Sequence, residues 1–83
     1  MSESLEDLRE EVDALDRRIV GMLEERVRLA ERIGRAKERA GKPLFDPARE
    51  EEVLERVVSR ADGAFPVAAL RRIFREVISA SLS

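Results

Sequence analysis

One stretch of this sequence limits the fold more than any other. From Leu5 onward apolar residues recur in alternating steps of three and four, through Leu8, Val12, Leu15, Ile19 and Met22, and again at Leu29, Ile33, Ala36 and Ala40. That periodicity belongs to a helix with a single apolar seam, and no breaker interrupts it. Ser4 with Asp7 three positions later forms a capping-box start, and Gly41 followed by Pro43 marks the stop. At about 1.5 Å per residue a helix over 5–40 is roughly 50 Å long. A compact chain of 83 residues has a radius of gyration of only about 12 Å, so the helix must protrude and its seam is expected to pair with another copy.

The remainder predicts two shorter helices. Lys42-Pro43-Leu44-Phe45 reads as a connection, and Asp46-Pro47 as a helix opening, with Asp as N-cap and Pro at the first helical position. The second helix carries Val53, Leu54, Val57 and Val58 as its apolar stripe and is expected to end at Asp62-Gly63. Phe65-Pro66 opens a third, in which Val67, Leu70, Ile73, Phe74, Val77, Ile78 and Leu82 are spaced for one buried face. With no strand-like alternation, repeat or linker, the expected class is all-α, three helices in one domain over residues 1–83.

Composition narrows the chemistry. The chain has no Cys, His, Trp or Tyr, which removes thiolate and imidazole metal sites, Cys nucleophiles and the usual general base near neutral pH. No metal or cofactor is expected. Asp, Glu, Lys, Arg and Ser suit binding and electrostatic stabilisation of an anion better than multi-step covalent catalysis. Lys and Arg total 16 against 18 Asp and Glu, and the signs alternate along the chain, so no basic stripe for a phosphate backbone, and no nucleic-acid partner, is expected. The acidic N-terminus lacks an apolar core, and no apolar run approaches the ~20 residues that span a bilayer. The expectation is a soluble cytoplasmic protein without a membrane partner.

Several charges sit where packing would not choose them. The three-four count from Met22 lands on Arg26 before resuming at Leu29. Such a cation can snorkel from the seam or set its register, or it can face a ligand. Lys37 lies eleven residues on, close to three full turns, so it projects from the same face roughly 16 Å along the axis, and both side chains can converge on one ligand. Arg9, seventeen residues before Arg26, points about 100° away and lies ~25 Å along the axis. It cannot easily serve the same pocket within one chain. Asp46 is accounted for as an N-cap and Glu50 as an acid near the positive end of the helix dipole, but Arg49 in the same first turn opposes that dipole. Ser81 reads equally well as a packing residue or a ligand contact.

Leu8-Arg9 near the start of the long helix, Glu25-Arg26 midway, Ile33-Gly34-Arg35-Ala36-Lys37 near its end and then Asp46-Pro47-Ala48-Arg49-Glu50 resemble the all-helical class of chorismate mutases over nearly the whole chain. The resemblance implies an intertwined homodimer that converts chorismate to prephenate by an intramolecular Claisen rearrangement, without metal or cofactor. Each of its two sites would borrow one arginine from the partner helix. Carried over residue by residue, Arg26 and the neighbour's Arg9 would bind the substrate carboxylates, and Lys37 would bridge a carboxylate and the ether oxygen. Arg49 and Ser81 would complete the carboxylate cage, and Glu50 with the backbone around Asp46 would hold the ring hydroxyl. Lys37 and Arg26 would carry the catalysis. The family also places a Gln or Glu four residues after the position of Ser81, beyond Ser83, so the resemblance leaves a fragment of something longer or a short variant with impaired catalysis. Phe65-Pro66 and the run from Ile73 to Ser81 are similar to mutase domains fused to other enzymes of aromatic biosynthesis. A weakly catalytic, ligand-sensing domain of the same fold is therefore the alternative function.

Overall fold

The computed structural model describes residues 3–81. Among them the chain forms three helices, α1 (Leu5–Ala40), α2 (Pro47–Ser59) and α3 (Val67–Ser81), and no strand. Each boundary has a local cause. The Ser4 side chain accepts a hydrogen bond from the Asp7 N–H at 3.0 Å, satisfying one of the donors that a helix start leaves open. At the other end of α1, Gly41 adopts φ 68°, a left-handed conformation cheap only for glycine, and the Lys42 N–H reaches back to the Lys37 carbonyl at 2.9 Å. Asp46 caps α2, its Oδ1 accepting from the Arg49 N–H at 3.1 Å with Pro47 following in the first turn.

The molecule is elongated as expected, with extents of 59 × 23 × 16 Å and a radius of gyration of 16.5 Å. α3 packs against both α1 and α2 and is the element that joins them. The core is correspondingly small: Ala30 of α1, Leu54 of α2 and Ile78 of α3 are the buried apolar residues among those described. By contrast every residue from Glu3 to Glu25 is exposed, the seam included, with Leu5 63%, Val12 55% and Leu15 49% accessible.

Four expectations need correction or limitation. α2 stops at Ser59, short of Asp62-Gly63, because the Arg60 and Ala61 N–H groups close onto Val57 and Val58 in tight three-residue turns. Asp62 instead shapes the next turn, its carboxylate accepting from the Ala64 N–H at 3.0 Å. Val67 and Ile73, expected on a buried face, are each 46% exposed, since one chain supplies too few neighbours to cover all of α3. Leu82, expected on that face, lies outside the described residues. The alternation of signs also fails to prevent a charged stripe: Arg28, Arg32, Arg35 and Arg39, all exposed, fall at helical spacing on the back of α1. No helix among the described residues is long and apolar enough to cross a membrane.

Candidate active site

The C-terminal half of α1, the connection after it and the first two turns of α2 enclose a cleft of about 390 Å³, within the size range of small-ligand sites. From α1 come Arg26, Leu29, Ala30, Ile33 and Lys37, which the helical repeat aligns on one face. Leu44, Asp46, Arg49, Glu50 and Val53 form the facing wall. The floor is therefore aliphatic and the rim carries three cations and two carboxylates, a combination that seats an apolar body and fixes anionic groups around it.

Two of the cations are anchored. Lys37 Nζ donates to the Leu44 carbonyl oxygen at 3.2 Å, tying the connection back onto α1. Arg26 Nη1 donates to Ser81 Oγ at 3.1 Å, and Ser81 Oγ in turn donates to the Val77 carbonyl at 2.8 Å. That relay fixes the guanidinium to the last turn of α3 and uses the single hydroxyl proton without conflict. Arg26 is half-buried, and partial desolvation followed by the nearby positive charge of Arg49 holds its pKa below the usual arginine value. The guanidinium stays protonated throughout the working pH range. Two like charges held towards one cavity make a positive potential that a bound anion relieves. Arg49 also lies 3.8 Å from Glu52 across an exposed helical pair, too solvated to hold it in place.

The sequence-predicted residues divide clearly. Arg26, Lys37, Asp46, Arg49 and Glu50 line one cleft, and Ser81 joins it through Arg26. Arg9 does not: it is exposed on the N-terminal half of α1 and forms no part of the cleft of its own chain. Arg26 and Ser81 are partners in one hydrogen bond, and Arg26 lines the cleft. Sequence reasoning missed Leu44. Its carbonyl is the acceptor for Lys37, and no residue-type signal identifies a backbone acceptor. Ala30, also missed, was findable, since four residues after Arg26 is the next position on the same face.

Fold and site thus define an all-helical protein with a cleft lined by three cations and two carboxylates along the C-terminal half of a long first helix. Comparison with known proteins assigns the family. The chorismate mutase type II family model matches residues 8–83. A solved chorismate mutase from Thermus thermophilus superposes with a TM-score of 0.90 at 42% identity, covering 95% of this chain and 99% of that one. A bifunctional chorismate mutase/prephenate dehydratase of Aquifex aeolicus is 44% identical over 85 residues, 98% of this chain but 24% of that protein. The chorismate mutase of Methanocaldococcus jannaschii is 33% identical over 57 residues, 69% of this chain and 58% of that one. The chain belongs to the chorismate mutase type II family. It spans about a quarter of the length of the bifunctional relatives it matches.

Proposed function

We propose that the chain is a cytoplasmic chorismate mutase that works as a homodimer, and that Arg26, Lys37, Arg49, Glu50, Asp46 and Ser81 of one copy act with Arg9 of the other. The observation that carries this reading is the convergence of Arg26, Lys37 and Arg49 on one cleft of small-ligand size. The rearrangement breaks an ether C–O bond as a C–C bond forms within the same molecule, and no proton, electron or group leaves the substrate. It therefore needs no nucleophile and no base, which agrees with a chain lacking Cys and His.

What a protein can supply is conformation and charge. Chorismate carries two carboxylates, and guanidinium groups clamping them hold the reacting ends in a compact, near-attack arrangement. In the proposal Arg26, Arg49 and the second copy's Arg9 do this, with Ser81 holding Arg26. Negative charge grows on the ether oxygen as its bond breaks, and in the proposal the ammonium of Lys37, which lines the cleft and donates to the Leu44 carbonyl, stabilises that charge. Glu50 and the backbone at Asp46 take the ring hydroxyl. Arg9 enters from outside because its own helix carries it away from its own cleft, and a two-fold dimer returns it to the other.

The test is turnover. Incubated with chorismate, the purified chain should form prephenate far faster than the uncatalysed reaction. Saturable binding of chorismate or prephenate without turnover would make the domain a sensor, and neither binding nor turnover would remove the function altogether.

A further inference from the structure

A quarter-turn around α2 from the first cleft lies a second. It holds about 530 Å³ between the N-terminal half of α2, the C-terminal half of α3 and the connection ahead of α2, again within the range of small-ligand sites. Leu54 and Ile78, two of the buried apolar residues, form its floor. Leu44, Phe45 and Pro47 form one wall, where Phe45 stands 73% exposed. Glu50 and Glu51 border it from α2, and Arg75 and Ser79, four residues apart on one face of α3, border it from the other side. Nothing from α1 lines this cleft, and it shares only Leu44 and Glu50 with the first.

The chain itself uses only part of the charge in this cleft. Arg71 donates to Glu51 Oε1 at 2.7 Å and neutralises that carboxylate. Arg75 has no carboxylate within 4.0 Å among the described residues, and the half-buried Glu50 carboxylate accepts no hydrogen bond there. Local helix energetics give no reason for Arg75. Arg71 stands four residues before it, a like-charged spacing that destabilises an isolated helix, and the position four residues after it is Ser79 instead of an acid. With Arg71 and Glu51 cancelling, one cation remains on the α3 side and one carboxylate on the α2 side, above an aliphatic floor.

We infer that this second cleft binds an α-amino acid with a large apolar side chain. Charge selects the class: a simple anion or a simple cation would leave one of the two facing charges covered and without a partner, whereas a zwitterion satisfies both. The ligand carboxylate takes a two-pronged, charge-assisted hydrogen bond from Arg75, with the Ser79 hydroxyl beside it. The ammonium donates to Glu50, whose two oxygens offer enough lone pairs to face both clefts. The apolar side chain lies on Leu54 and Ile78 and covers the exposed ring of Phe45. Because α1 contributes nothing, the site stays available when copies pair along the seam of that helix.

Amide NMR titration of the whole chain with L-phenylalanine and with L-leucine, in the absence of chorismate, tests the inference. Saturable shifts at Leu54, Arg75, Ile78 and Ser79 are expected, with a Kd on the order of 1 mM for ligands of this size. Hydrocinnamate, which lacks the ammonium, and phenethylamine, which lacks the carboxylate, should each bind about tenfold more weakly or not at all. Arg75→Gln should weaken L-phenylalanine by about tenfold or more. Ser79→Phe, which fills the cleft without altering charge, should abolish binding, and both variants should keep the melting temperature of the unaltered chain. Arg49→Gln, which alters only the first cleft, should leave the Kd unchanged. Absence of saturable shifts, equal binding of hydrocinnamate, or a Kd insensitive to Arg75→Gln would each overturn the inference. So would loss of binding in Arg49→Gln, which would place the amino acid in the first cleft. None of these readouts uses turnover, so failure here leaves the proposed function standing.

Discussion

The two halves of α1 follow the same apolar repeat and meet different fates. From Arg26 to Ala40 one side of the seam has partners within the chain: Ala30 is buried, Arg26 and Lys37 are half-buried, and both cations are hydrogen-bonded to other segments, while Leu29 and Ile33 stay 48% and 49% exposed. From Leu5 to Glu25 the same repeat meets nothing, and Leu8, Val12, Leu15, Ile19 and Met22 stand 38%, 55%, 49%, 43% and 55% exposed. A periodic seam therefore specifies a face and leaves open whether the covering surface belongs to the same molecule. Burying a large aliphatic side chain contributes about 1.5–3 kcal/mol. Since these five side chains are already about half covered, the outer half holds on the order of 5 kcal/mol that a single chain leaves unused, near the lower end of the whole stability of a small domain.

The largest effect should come from attacking that outer half. Leu15→Glu with Ile19→Glu places two charges in the seam and should halve the mass at high salt while reducing the helical circular dichroism signal. A variant with unchanged mass and melting temperature would show that the outer seam is not where copies meet. Next, in the inner half, Lys37→Ala should lower kcat by about a hundredfold or more, since its charge acts as the ether oxygen gains charge. Unchanged kcat and kcat/KM would remove Lys37 from the chemistry.

How far this contrast was legible in the sequence depends on which physical signal each part carries. The limits of α1 were legible because Ser4, the repeat and Gly41 all act through local geometry. Arg26 and Lys37 were legible as a pair because helical spacing alone aligns them. The early end of α2 was not, since three-residue turns at Arg60 and Ala61 compete with continuation on a balance that Asp62 and Gly63 do not reveal. Exposure of Val67 and Ile73 was equally hidden, because periodicity identifies an apolar face and says nothing of how many neighbours exist to cover it. The Arg28 to Arg39 stripe was overlooked for a different reason: signs that alternate along the chain can still segregate by face once the chain is wound into a helix.

Smaller effects sharpen the inner half further. Ser81→Ala removes the acceptor that holds Arg26, and one such hydrogen bond is worth about 1 kcal/mol. KM should rise several-fold with kcat little changed, whereas an unaltered KM would mean that Arg26 needs no anchor. The smallest effect concerns the contact between α2 and α3. The Arg71 side chain, donating to Glu51 at 2.7 Å, holds that carboxyl below the usual carboxylate range. A depressed folded-state pKa contributes stability above the unfolded value and loses it as pH falls through the folded one. Arg71→Gln should therefore reduce the acid sensitivity of the melting temperature slightly, and an identical pH profile would show the pair to be energetically silent, as exposed pairs often are.

The central claim, that the outer half of one copy completes the cleft on the inner half of another, is tested most directly by mixing two defective chains. Arg9→Ala and Arg26→Ala should each be nearly inactive alone. Unfolded together and refolded, about half the dimers are mixed, and each mixed dimer has one intact site and one carrying both defects. Activity should return to roughly a quarter of that of the unaltered protein. If mass analysis confirms mixed dimers and activity stays at the level of the separate variants, the two arginines serve a site within one chain and the shared-site account is wrong.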